Sequence, residues 1–285
     1  MPGRKLQLTN QRVVFYDASM ETSPVERFEI AINTPAGRLN TTLDVPTGFV
    51  PITSIVPVTR RLGEEMLKLE EIRSRETSHS ISCRMGCAAC CRMLVPLSPP
   101  EAFALQDYVA QLPEGRQAAL RQKIEDSKAT LASHDLLNRL QEVADATTPI
   151  PDEQLDPINR AYYALRHPCP FLENEICSIY EARPAACREL LVTSPAVLCD
   201  NLVDNPVTPL PVPVRIGTVL GVLWGAITNS SPRLIPLPLA LEWAEQHRDE
   251  ASQTWAGSSL IDQMLEKMWR FLNQEFQARG QSPRR

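Results

Sequence analysis

The sequence predicts a mainly α protein with a small N-terminal β-hairpin arm and a helical cysteine-cluster core held around a metal centre. Three observations predict it. Apolar residues recur at helical spacing from about position 61 to 279, a short alternating run with turn chemistry precedes them, and all eight cysteines of the 285 residues fall between positions 83 and 199. With 43% hydrophobic residues the chain can bury a core without cysteine staples, so the thiols are free for other work. A formal charge of -5 argues against general attraction to nucleic acid or anionic lipid, since both reward a basic surface. A protein or a small molecule is the expected partner.

Three parts are expected: a β-rich arm over 1–60, a cysteine-cluster metal-binding domain over 61–200, and a C-terminal helical extension over 201–285 packed on the same core. The opening segment M-P-G-R-K-L-Q-L-T-N-Q-R has basic residues but no apolar stretch or small-residue cleavage site, so it does not read as a secretory signal. The cytoplasm is the expected compartment. There, clustered cysteines favour metal or redox chemistry over structural disulfides, whereas export would make four disulfides the leading reading of the same residues.

Within the arm, V-V-F-Y at 13–16 reads as a strand, and Phe28, Ile30 and Ile32 alternate with polar or small residues before a T-P-A-G turn at 34–37, which predicts a β-hairpin. From Arg61 the period changes. Leu62, Met66, Leu69 and Ile72 line one face of a helix, with Glu64, Glu65, Lys68, Glu70 and Glu71 as its solvated side. M-L-V-P-L at 93–97 reads as a short strand, and Ser98 with Glu101 makes a capping box for a helix to about Leu112. Helical period continues over 114–146 with a break near Ser133.

Asp156 before Pro157 predicts the cap of a short helix carrying Tyr162 and Tyr163, ending near His167 because the residue before a proline avoids the α region. Ser178 and Glu181 predict a further capping box, with Y-E-A-R as one or two helical turns stopped by Pro184 and Tyr180 in the core. The apolar run 216–229 is shorter than the ~20 residues that cross a bilayer, so it predicts a buried helix whose Gly217, Gly221 and Gly225 leave a flat stripe for another helix. Helices near 238–250 and 259–279 follow, the last with Ile261, Met264, Leu265, Met268, Leu272 and Phe276 on one face. No repeat of fixed period and no regular strand–helix alternation is visible.

The cysteines carry the chemistry. Cys83, Cys87, Cys90 and Cys91 form C-x3-C-x2-C-C, and Cys169, Cys177, Cys187 and Cys199 follow. Thiolates are soft ligands that select zinc, copper(I) or iron–sulfur centres over magnesium or calcium. The spacing fits zinc knuckles and iron–sulfur loops alike. In extended backbone Cys90 and Cys91 point to opposite sides, so they could serve different metals. C-x3-C-x2-C is also the spacing of radical S-adenosylmethionine enzymes, but the βα alternation of that fold is missing. Cys87 and Cys90 meet the C-x2-C redox pattern without a thioredoxin-like context. His79 and His167 lie near enough in sequence to complete a mixed site, and Arg183 could balance cluster charge or bind a helix end.

C-R-M-G-C-A-A-C-C, followed by C-P-F-L and C-S-I-Y-E-A-R-P-A-A-C-R, resembles the YkgJ-like cysteine-cluster proteins, a family of zinc- or iron-chelating domains. It is similar over the same motifs to flagellin lysine-N-methylases. The resemblance spans about 83–199. It implies that Cys83, Cys87, Cys90, Cys91, Cys169, Cys177 and Cys187 belong to the metal-binding set, with Cys199 at its edge. It implies a metal-binding protein holding an iron–sulfur cluster of 4Fe-4S type, or zinc. The alternative it implies is a metal-dependent protein methyltransferase using S-adenosylmethionine, although no Gly-rich loop after a strand announces the usual site for that cosubstrate. Whether the protein is an enzyme is not decided by the sequence.

Overall fold

Alternating side chains make the first described element. In the computed structural model, which describes residues 25–84 and 86–280, β1 (Val25–Thr34) pairs antiparallel with β2 (Gly37–Pro46) around the expected turn, with Thr34 opposite Gly37. Ile30 and Ile32 of one strand and Leu39, Leu43 and Val45 of the other are buried. The strand expected at 13–16 lies outside the described residues. A short β3 (Phe49–Pro51) and a 3-10 turn lead into α1 (Val56–Glu76). This helix starts five residues before Arg61, because Pro57 falls in the first turn, where its missing N–H costs nothing.

Leu62 and Met66 are fully buried as expected, but Ile72 is 53% exposed and Glu70 is only 2% exposed. The solvated face is therefore interrupted at Glu70, whose carboxylate meets Arg279 at 2.7 Å from the far end of the chain.

The first cysteine run crosses a loop and a 3-10 turn (Ala89–Arg92) before β4 (Pro96–Leu97) and α2 (Pro99–Ala110), which opens on the expected capping box of Ser98 and Glu101. The helical stretch that follows breaks where expected, into α3 (Glu114–Ser133) and α4 (Leu137–Asp145). α5 (Asp152–Ala164) begins earlier than Asp156. Asp152 and Glu153 suit the positive end of a helix, and Pro157 sits inside on the exposed side, where the carbonyl left without a partner faces water.

The second run forms a miniature hairpin, β5 (Leu172–Glu173) and β6 (Ile176–Cys177), turned by Asn174 and Glu175 with φ of 51° and 61°. Positive φ at both turn residues gives the twist that a two-residue hairpin needs. Next come a 3-10 turn (Tyr180–Ala182), α6 (Ala185–Glu189) and a further 3-10 turn (Ala196–Asn201). The expected capping box at Ser178 does not form: Ile179 takes the cap position, and the Ser178 hydroxyl is buried without a hydrogen-bond partner.

α7 (Ile216–Thr228) is buried and stops at Asn229 in the left-handed region. β7 (Ile235–Pro236) pairs with β4, and α8 (Ala240–Gln246) and α9 (Arg248–Ala251) follow. β8 (Thr254–Ala256) pairs with β3, and α10 (Gly257–Ala278) buries the whole face expected of it, Ile261 to Phe276. One continuous core runs from the hairpin through α2, α3, α7 and α10, centred on Trp224, which meets Phe103 edge to face at 5.5 Å. Among the described residues no helix is long and apolar enough to cross a membrane.

Candidate metal centre

Backbone hydrogen bonds draw the cysteine-bearing loops together. The Ser82 N–H donates to the Val192 carbonyl at 2.9 Å and its hydroxyl to the Ser194 carbonyl at 2.6 Å, so Cys83 lies against 192–194, where the Val192 N–H reaches its Sγ at 3.4 Å. The Cys169 N–H donates to the Cys91 carbonyl at 2.8 Å, which ties the second run to the first. Arg92 forks onto Glu175 at 3.0 and 3.3 Å, and Arg116 forks onto Glu173 at 2.7 and 2.9 Å, with Lys123 on the same carboxylate. The miniature hairpin is thus clamped to the first cysteine run at its turn and to α3 at its edge. Arg116 and Lys123 hold the Glu173 carboxyl down at about 2.

α6 is fixed from beneath. Glu101 is fully buried; its Oε2 accepts from Ser98, and its Oε1 accepts the Ala185 N–H at 2.8 Å and lies 3.4 Å from the Arg60 guanidinium. Arg188, one residue beyond Cys187, pairs with Glu64 of α1 and donates to the Arg183 carbonyl at 2.9 Å. The sequence marks Glu101 only as a helix cap. Its second duty, holding α6 by its first N–H, depends on a residue 84 positions away.

The thiols influence one another in overlapping sets that share Cys90. Cys83 feels the charge of Cys87 and Cys90, and Cys199 that of Cys83, Cys87 and Cys90. Cys169 feels Cys177 and Cys90, and Cys187 feels Cys169, Cys90 and Cys177. Cys199, at the edge of the motif by sequence, is 5% exposed and stands with Cys83 and Cys87. Cys90 and Cys91 are not in extended backbone: the chain there is a 3-10 turn. The neighbouring Cys91 thiol, then burial, pushes the Cys90 thiol up strongly. Burial dominates elsewhere, raising Cys83, Cys177, Cys187 and Cys199 and pushing Cys169 up to about 12.

Arginine charge opposes this. Arg183 favours the thiolates of Cys90, Cys177 and Cys187, and Arg188 favours that of Cys177. Both balancing cluster charge and binding a helix end are supported for Arg183, whose Nε also donates to the Tyr180 carbonyl at 3.0 Å in the 3-10 turn before it. Its guanidinium also lies 3.6 Å from the ring centroid of Tyr180, which is 47% exposed and not a core residue.

The histidines stand elsewhere. His167 turns its Nε2 to the Ser127 hydroxyl at 2.9 Å, and the exposed His79 has Nδ1 3.3 Å from the Thr77 hydroxyl. Among the described residues no three Cys, His, Asp or Glu side chains already converge on one point in ligand geometry. The donor set nevertheless fits a thiophilic ion: crowded soft donors raise one another's proton affinity, and a cation among them with arginines around it relieves that repulsion.

Residues 82–200 match the CxxCxxCC family model, described as a putative zinc- or iron-chelating domain. No curated protein and no solved structure matches the chain. The matched span opens one residue before Cys83 and closes one after Cys199, taking in all eight thiols and the neighbouring arginines, and over this stretch the chain is similar to that cysteine-cluster family.

Proposed function

We propose that the protein is a metal-thiolate binding protein that holds zinc or an iron–sulfur cluster in two neighbouring sets of cysteines. Cys83, Cys87 and Cys199 form one set, Cys169, Cys177 and Cys187 the other, and Cys90 with Cys91 stands at their junction. The observation that supports this reading is the tie between the cysteine-bearing segments, where the Cys169 N–H donates to the Cys91 carbonyl at 2.8 Å and the Val192 N–H reaches Cys83 Sγ at 3.4 Å, within the span that matches a zinc- or iron-chelating family model. Eight thiols divide into two four-thiolate sites if Cys90 and Cys91 each complete one set, a number that suits tetrahedral zinc and a four-cysteine cluster equally. The metal's part is to draw the loops together and hold the thiolates deprotonated.

Metal and sulfide analysis with absorption spectra on anaerobically purified protein tests this. Two zinc ions per chain, or iron with equivalent sulfide and broad visible absorption, are the expected outcomes. A metal-free, colourless chain with four disulfides would overturn the reading. The methyltransferase reading implied by likeness to flagellin lysine-N-methylases has no supporting observation in the fold or the comparisons.

A further inference from the structure

Beside α6 lies a cavity of about 300 Å³ with no cysteine in its lining, which the metal reading does not use. Its walls come from the start of α2, the end of α4, α6 and the Gly217–Gly221 face of α7. The lining is mainly apolar, with Val143, Ile150, Leu155, Val222 and Leu234 among its residues, and its size is at the lower end of those that enclose small ligands.

The glycines keep it open. A β-carbon on Gly221 would meet only Ser98 Cβ at 3.7 Å and Arg233 O at 4.0 Å, and one on Gly217 only Glu101 Oε2 at 3.2 Å, so the first turn of α2 approaches the stripe as its spacing suggests but leaves space beside it. Gly225 alone is tightly covered, by the chain's own return at Ser230 and Pro232.

One polar side chain stands out in the lining. Glu189 is 6% exposed, and its Oε1 accepts the Ile216 N–H at 2.6 Å, while its Oε2 takes no hydrogen bond and keeps some open surface. A carboxylate oxygen beside a mainly apolar cavity is poorly solvated, and a donor on a bound molecule would compensate for that. The other charged groups are placed differently. Arg215 lines the cavity with an exposed side chain whose charge favours the Glu189 carboxylate, and Arg233 lies 4.0 Å from Glu250 with its guanidinium 6.0 Å from the Trp243 ring centroid.

We propose that this cavity binds a small molecule with an apolar body and an amine head, received by the free oxygen of Glu189. Because α6 carries Cys187 as well as Glu189, the site and the thiol cluster share one short helix. The assignment itself does not depend on which metal the thiols hold.

Calorimetric titration of the full chain as purified, with 2-phenylethylamine and with 3-phenylpropionate, tests it. The two probes are alike in size and opposite in charge. The amine should bind at least about tenfold more tightly than the carboxylate, the margin expected of one buried charge-assisted hydrogen bond. Gly221→Leu should fill the cavity and abolish amine binding with metal content unchanged. Glu189→Gln, which keeps an acceptor for Ile216, should erase most of the preference for the amine. Absence of amine binding to the unmodified chain, equal or tighter binding of the carboxylate, or unchanged binding in Gly221→Leu would each overturn the proposal. The comparison of the two probes on the unmodified chain stands even if a variant misfolds, and failure of the metal reading would appear separately as a chain without metal.

Discussion

Glu173 shows how much of the second cysteine run hangs on one carboxylate. Arg116 and Lys123 lower its proton affinity in the folded state, so its stabilising contribution is complete above the ordinary carboxylate range. That contribution is lost as pH falls from there through about 2. Glu173→Gln should therefore be less stable than the unmodified chain at neutral pH, and denaturant titrations should show the difference shrinking on acidification and vanishing near pH 2. A difference that stays constant with pH would mean that the ion pairs are not its source. Single residues were legible in the sequence where their partners are close in the chain. Ser98 and Glu101 cap α2 as their spacing predicts, whereas Glu70 is buried because Arg279 lies 209 positions on, which no local pattern reveals. Tyr180 reads as a core residue by composition; in the fold it sits exposed beside Arg183 because its 3-10 turn faces outward.

At the scale of elements, α1 and α7 approach most closely where Gly63 meets Ile216. A β-carbon there would stand 2.4 Å from Ile216 Cγ1, closer than any real contact, so the Ile216 side chain or the helices must shift. Gly63→Ala should gain about 1 kcal/mol in helix propensity but lose about 1–3 kcal/mol to overpacking, for a net loss of stability seen as a lower thermal midpoint. The same change should disturb the Ile216 N–H bond to Glu189 and weaken binding in the cavity beside α6. The long helices were readable because 3.6-residue periodicity survives over many turns, as in α10, and because Ser133 marks a break, whereas the start of α1 at Val56 was missed because Pro57 in its first turn was not read as a start signal. The miniature hairpin at 172–177 was not readable. Its turn uses Asn174 and Glu175 in place of the usual glycine, and Arg92, Arg116 and Lys123 hold it from outside.

For the whole molecule, metal bound across the two cysteine runs closes the loop between Cys91 and Cys169, so metal binding becomes folding free energy for that region. Chelation should expose 82–200 to protease while α7, α8 and α10, which share an apolar core, remain protected. Cys87→Ser and Cys199→Ser should remove one portion of the metal and Cys169→Ser and Cys187→Ser the other, as read by metal content per chain. If all four variants lose all metal together, a single shared centre replaces the two-set arrangement. The eight candidate ligands were legible in the sequence because sulfur is rare and their spacing is tight. Their division into sets was not, since it depends on where the turn at 196–201 returns Cys199.

The pairing of β3 with β8 joins residues some 200 positions apart, and the Glu70–Arg279 contact spans a similar distance. During synthesis the hairpin and α1 must therefore wait for most of the chain to emerge before their packing partners exist. In the last part of that interval, after Cys199 has emerged and before β8 and α10 follow, all eight thiols are outside the ribosome without the C-terminal helix behind them. Loops of this length delay closure, so the nascent chain offers a period in which a metal donor or an oxidant could reach the cysteines first.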